Sequence, residues 1–166
     1  MGIENHTPMK AVLNQMQWLV MLHVLSAVIG IGPTFAFPLL LRNTSSAAEM
    51  TTALGHVAKL ELFPKLFGTL AVLSGFALFW LGSYGSFMQI WIIGTLLLYI
   101  VIEVLIIGFL NPTAKKLHEA VGSPDVQSGG GISPQAGAMY ARVRSYHLWA
   151  TVLSTVIIVL MILKPH

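Results

Sequence analysis

Residues 87–110 read FMQIWIIGTLLLYIVIEVLIIGFL, 24 positions with a single charged side chain, Glu103. As a helix rising 1.5 Å per residue the stretch is about 36 Å long, enough to cross a hydrocarbon core about 30 Å thick. Three further apolar stretches of comparable length lie at 18–41, 62–82 and 146–163. Between the second and third, Ser83-Tyr84-Gly85-Ser86 is a short polar turn, which makes those two spans antiparallel neighbours. Across all 166 residues, 55% are hydrophobic and 9% charged. Soluble domains carry about a quarter charged residues, so no part of this chain can wrap itself in polar surface. The expectation is an all-α membrane protein, a single domain over 1–166 built as an antiparallel four-transmembrane-helix bundle.

The absence of cysteine excludes disulfides, thiolate-held iron–sulfur clusters, cysteine zinc sites and cysteine nucleophiles. The net charge is +3, from nine Lys/Arg against six Asp/Glu. These cations are distributed as a topology signal and not as a nucleic-acid patch. Arg42, Lys59, Lys65, Lys115, Lys116, Arg142 and Arg144 flank two long connections, while Lys10 and Lys164 lie opposite. The positive-inside rule therefore predicts connections 42–61 and 111–145 in the cytoplasm and both termini outside. The first span is too long for a removed signal peptide and lacks a small-residue cleavage site, so it reads as a retained helix.

Within the first connection, Ser46 followed by Glu49 forms a capping box. Met50, Leu54, Val57 and Leu60 then make an apolar stripe opposite Glu49, Thr52, His56 and Lys59. This predicts an amphipathic interfacial helix ahead of the second span. Pro64 marks where that span begins. In the second connection, Asn111-Pro112 predicts the end of one helix and a short new one through Ala120. Residues 122–133, rich in Gly and Ser, read as a flexible cytoplasmic loop, and Ser133-Pro134 as the cap and first position of the last helix.

Helices in lipid associate through small and polar residues, which therefore mark inward faces. These are His23, Ala27, Gly30 and Thr34 on the first span, Gly68, Ala71, Gly75 and Gly82 on the second, Tyr99 with Glu103 on the third, and His147, Thr151, Ser154 and Met161 on the fourth. His23 lies about 8 Å inside the boundary at Gln17-Trp18. An imidazole at that depth is either a ligand or proton-handling group, or a side chain bonded to a neighbouring Ser, Thr or carbonyl. Glu103 lies about 12 Å from the opposite boundary, with Tyr99 its nearest partner, as a proton relay, a cation ligand or a hydrogen bond between helices. His147, one turn inside Arg144, reads as interfacial with access to water. His56 and His118 read as solvated, as do the terminal His6 and His166. Glu61 and Lys65 are spaced for a helical ion pair.

His23 and His147 stand about 17 Å apart along the membrane normal, too far to ligate one iron. A haem on His23 would take its sixth ligand from the other candidates at that depth, Met161 or Met88, or keep an open position.

The stretch from His23 to Arg42, HVLSAVIGIGPTFAFPLLLR, resembles the first helix of a bacterial family of predicted integral membrane proteins, domain of unknown function 2269. More distantly it is similar to the helix that opens the HemJ-type protoporphyrinogen oxidases and the copper-resistance D membrane proteins. In the HemJ type the early His is taken as a haem b ligand, a role the resemblance gives to His23. Phe35, Phe37 and Pro38 fit the aromatic exit of that helix. Gly30 stands where those proteins carry Trp and Leu39 where the oxidases carry Arg, so a cation for a porphyrin carboxylate is missing.

The sequence thus leads to a b-type haem protein of redox or electron-transfer chemistry, with His23 as axial base and Glu103 with Tyr99 as a proton route. Two other classes stay open. One is a small, homo-oligomeric transport subunit in which His23 and Glu103 line a path for protons or metal ions. The other is a non-catalytic accessory protein that contacts partners through its long connections. No hydrolase triad, phosphate loop or zinc motif is present.

Overall fold

The computed structural model describes residues 7–42, 44, 46–82, 86–122 and 131–165. The expected turn at Ser83-Tyr84-Gly85, most of the expected loop 122–133, and the terminal His6 and His166 lie outside the described residues. Helix α1 runs Thr7–Ile31 and tightens into a 3₁₀ turn, Gly32–Ala36, before the short α2, Phe37–Leu40. Helices α3, Ala47–Leu60, and α4, Leu62–Leu81, are separated by Glu61 alone, whose backbone is itself right-handed helical at φ −61° and ψ −16°. Helix α5, Ile90–Glu103, passes through a π-helical stretch, Val104–Leu110, into α6, Asn111–Val121, and the long α7 spans Pro134–Leu163. Four helical rods long and apolar enough to cross a membrane result, covering 14–40, 47–81, 90–121 and 134–163.

Local sequence explains the boundaries. Ser46 Oγ accepts the Glu49 N–H at 3.2 Å and Ser133 Oγ accepts the Ala136 N–H at 3.1 Å, each satisfying an orphan donor of a first turn. Pro112 does not end a helix as the sequence suggests. A proline inside a helix cannot donate to the carbonyl four residues back and its ring crowds it, so the preceding turn widens. The Asn111 N–H accordingly reaches the Ile106 carbonyl, five residues back, and the rod continues unbroken.

The rods pack as two pairs. Helix α1 lies along α4, and α5 lies along α7. The second and third spans, expected as neighbours, meet through the edge-to-face pair Phe79–Phe87 at 5.1 Å beside their turn and do not pack along their lengths. What joins the pairs is a collar at the end bearing the two long connections. The rods of 35, 32 and 30 residues are about 45–52 Å long and overshoot a 30 Å hydrocarbon core by 15 Å or more. Their overhangs converge: Phe37, Leu41, Met50, Leu54, Val57, Leu117, Val121, Tyr140 and Val143 form one buried cluster from α2, α3, α6 and the start of α7.

The amphipathic helix predicted before the second span is therefore present as α3, but its apolar stripe is covered by protein. Met50, Leu54 and Val57 pack into the collar, where lipid would otherwise have to cover them. The outward sides of the spans remain apolar, with Leu73, Trp80, Ile107 and Ile162 between 62% and 87% exposed, as lipid-facing side chains are.

Candidate functional site

The α1–α4 crossing is built on glycine. A Cβ placed on Gly30 would stand 3.0 Å from the Gly68 backbone nitrogen and 3.2 Å from the Phe67 carbonyl carbon, so the two helices touch backbone to backbone. Two turns further along α1, His23 points into the same seam. Its Nδ1 lies 2.8 Å from the Ala71 carbonyl oxygen and 3.3 Å from Ser74 Oγ. Gly75 leaves room for the ring, since a Cβ there would come within 3.1 Å of His23 Cε1. Of the small residues expected to face inward on the second span, Gly75 and the Ala71 carbonyl meet His23, Gly68 offers α1 its backbone while its Cβ direction is open, and Gly82 lies past the end of α4.

These contacts fix the ring proton. A carbonyl only accepts, so Nδ1 carries hydrogen and donates to Ala71. The one proton of Ser74 is directed to the Leu70 carbonyl at 2.7 Å or the Ala71 carbonyl at 3.0 Å, which leaves Ser74 Oγ as a second acceptor for Nδ1–H. In the neutral imidazole, the lone pair is then on Nε2. The structure realises the simple alternative of a histidine bonded to a carbonyl, and the same bond orients histidines that serve as ligands.

The other candidates stand elsewhere. Tyr99 and Glu103 stand one turn apart on α5 with the carboxyl group beside the phenol, both half-buried. Thr95, one turn before Tyr99, has a buried hydroxyl without a hydrogen-bond partner among the described residues. Thr95, Tyr99 and Glu103 therefore form a polar stripe at i, i+4 and i+8 that sequence reasoning recognised only in part. The stripe belongs to the α5–α7 pair and His23 to the α1–α4 pair. Met88 is 75% exposed beside the turn, and Met161 lies near the end of α7, where Leu160 packs against Gly94 of α5.

His147 corrects its expected placement. Instead of reaching water it is 5% exposed, held edge-on by the Phe37 ring at 4.8 Å. Its Nε2 lies 3.8 Å from Glu61 Oε1, while Glu61 Oε2 accepts from Lys65 Nζ at 2.8 Å, as the i,i+4 spacing predicted. One turn on, the Thr151 hydroxyl reaches the Thr34 carbonyl at 2.9 Å, bonding the two halves together. The reason is the collar: α2 and the α3–α4 junction cover the face of α7 that the sequence alone left open. Glu61 and the Ala71–Ser74 turn are 10 to 13 residues apart on one rod, about 15–20 Å, so His23 and His147 do occupy separate levels.

Were a porphyrin iron held here, these residues would offer it one imidazole, His23, whose Nδ1–H a carbonyl satisfies. They do not supply a second axial ligand beside it within one chain, because neither methionine shares the His23 seam. For a bare metal ion, no group of three or more His, Asp or Glu side chains gathers among the described residues.

A family model described as "Predicted integral membrane protein (DUF2269)" matches residues 17–165. No curated protein and no solved structure matches the chain. These comparisons do not show the similarity to HemJ-type oxidases and copper-resistance D proteins.

Proposed function

We propose that this chain, which belongs to the DUF2269 family of predicted integral membrane proteins, is a bacterial cytoplasmic-membrane protein that carries b-type haem on His23. The observation that carries the reading is the 2.8 Å bond from His23 Nδ1 to the Ala71 carbonyl. It locks the ring in the α1–α4 seam and, by partly withdrawing the Nδ1 proton, makes Nε2 a stronger base. A haem held there would supply one-electron transfer. Ala71 and Ser74 orient the base, and Gly75 gives the ring its space. The excess of basic residues around the collar supports its assignment to the cytoplasmic side. Protein purified in detergent from haem-replete cells should show a Soret band that His23→Ala abolishes and Ser74→Ala retains. Colourless protein, or a band unchanged in His23→Ala, contradicts the reading.

The stripe Thr95, Tyr99, Glu103 favours a second reading, a proton path along α5. Hydroxyls one turn apart and a carboxyl group cover about 12 Å of the membrane normal. His23 is not on this path within one chain, so a route using both would run between protomers. Glu103→Gln should reduce proton flux into liposomes while leaving the thermal midpoint unchanged. Equal flux in the two proteins counts against it.

A further inference from the structure

Helices α6 and α7 border a half-open cleft of about 330 Å³, lined by Thr113, Lys116, Gln135, Ala138, Met139 and Arg142. That is at the low end of small-molecule sites, which run about 300–1,000 Å³. Two of the six lining residues are cations, and among the described residues neither Lys116 nor Arg142 has a carboxylate within ion-pair distance. The Thr113 hydroxyl already donates to the Phe109 carbonyl at 2.7 Å, so Lys116, Arg142 and the Gln135 amide are the donors that face a guest. Ala138 and Met139 give the cleft an apolar wall.

Its depth in the membrane follows from the neighbouring aromatics. Phe109, just ahead of α6, and Tyr146 of α7 have ring centroids 6.2 Å apart, and a tyrosine settles at the membrane–water boundary. Thr113 and Arg142 are each one turn beyond this pair and Lys116 nearly two, hence about 6–10 Å farther from the hydrocarbon. Lipid phosphates lie at that level. A basic pocket between helices at headgroup height faces lipid phosphates at a far higher local density than any soluble anion, which favours a phosphate diester of the bilayer.

We propose that this cleft binds the phosphate headgroup of an anionic phospholipid, with Lys116 and Arg142 as its cationic ligands. The site is independent of His23 and lies at the other end of the molecule. The test is native mass spectrometry of the full chain released from nanodiscs of phosphatidylcholine with or without phosphatidylglycerol. One phosphatidylglycerol should remain bound, and the double variant Lys116→Gln, Arg142→Gln should weaken its retention about 25-fold, about 5-fold for each cation. Both side chains are exposed, so the variant should fold, which its thermal midpoint checks. Lys59→Gln, an exposed cation on α3, should leave retention unchanged, and Arg142→Lys should restore part of it. Equal loss in Lys59→Gln would show diffuse surface attraction and overturn the site. Protection by millimolar inorganic phosphate without retained phosphatidylglycerol would overturn the lipid assignment, and binding of neither anion would overturn both.

Discussion

Gly30→Leu is expected to leave little or no folded protein, whereas Gly68→Ala, on the facing helix at the same crossing, should be nearly silent. A Cβ on residue 30 meets the Gly68 nitrogen at 3.0 Å and the Phe67 carbonyl carbon at 3.2 Å, and backbone atoms cannot rotate away. A Cβ on residue 68 meets nothing within 4 Å. Gly30→Ala alone should cost about 1–3 kcal/mol by overpacking, read as a lowered thermal midpoint in detergent. Leucine must separate α1 from α4 along the whole seam. No hydrophobic force between helices in lipid compensates for that, because lipid tails solvate the separated faces equally well. Wild-type melting of Gly30→Leu would show that the helices do not meet there.

Leu117→Ala should destabilise the collar by about 2–5 kcal/mol, the range for emptying a fully enclosed leucine site. Leu117 is 0% exposed, as are Leu41 and Val121 beside it, and no lipid can fill the hole. The expected readout is faster proteolysis of connections 42–61 and 111–145 together with a lower midpoint. Leu73→Ala removes the same atoms from a lipid-facing position 62% exposed and should stay within about 0.5 kcal/mol of the parent. Equal losses from both substitutions would mean that the collar is not a packed core.

The four spans were legible because apolar length is a local property, and so were the caps at Ser46 and Ser133 and the seam positions Ala71 and Gly75, which depend on spacing within one helix. The pairing of α1 with α4 and of α5 with α7 was not. Small-residue faces show that a helix packs but not on which partner. The stripe Met50, Leu54, Val57 has the same pattern whether lipid or protein covers it, so the collar could not be read from α3 alone. Burial of His147 follows from Phe37 and Glu61, 110 and 86 positions away in sequence. Pro112 carried a local signal that was read as a break. The π-helical turn before it shows that a membrane helix can absorb a proline by widening. At His23 the sequence indicated a polar residue facing inward, while the Ala71 carbonyl that sets its proton could come only from the fold.

The measurement that bears most directly on the His23 site is solid-state ¹⁵N and ¹³C magnetic resonance of the ligand-free protein in bilayers, with the His23 signals assigned by their loss in His23→Ala. The geometry requires a proton on Nδ1 and through-space transfer from that nitrogen to the Ala71 carbonyl carbon. A bare Nδ1 with the proton on Nε2, or no transfer to Ala71, would contradict it and remove the ligand role built on that bond.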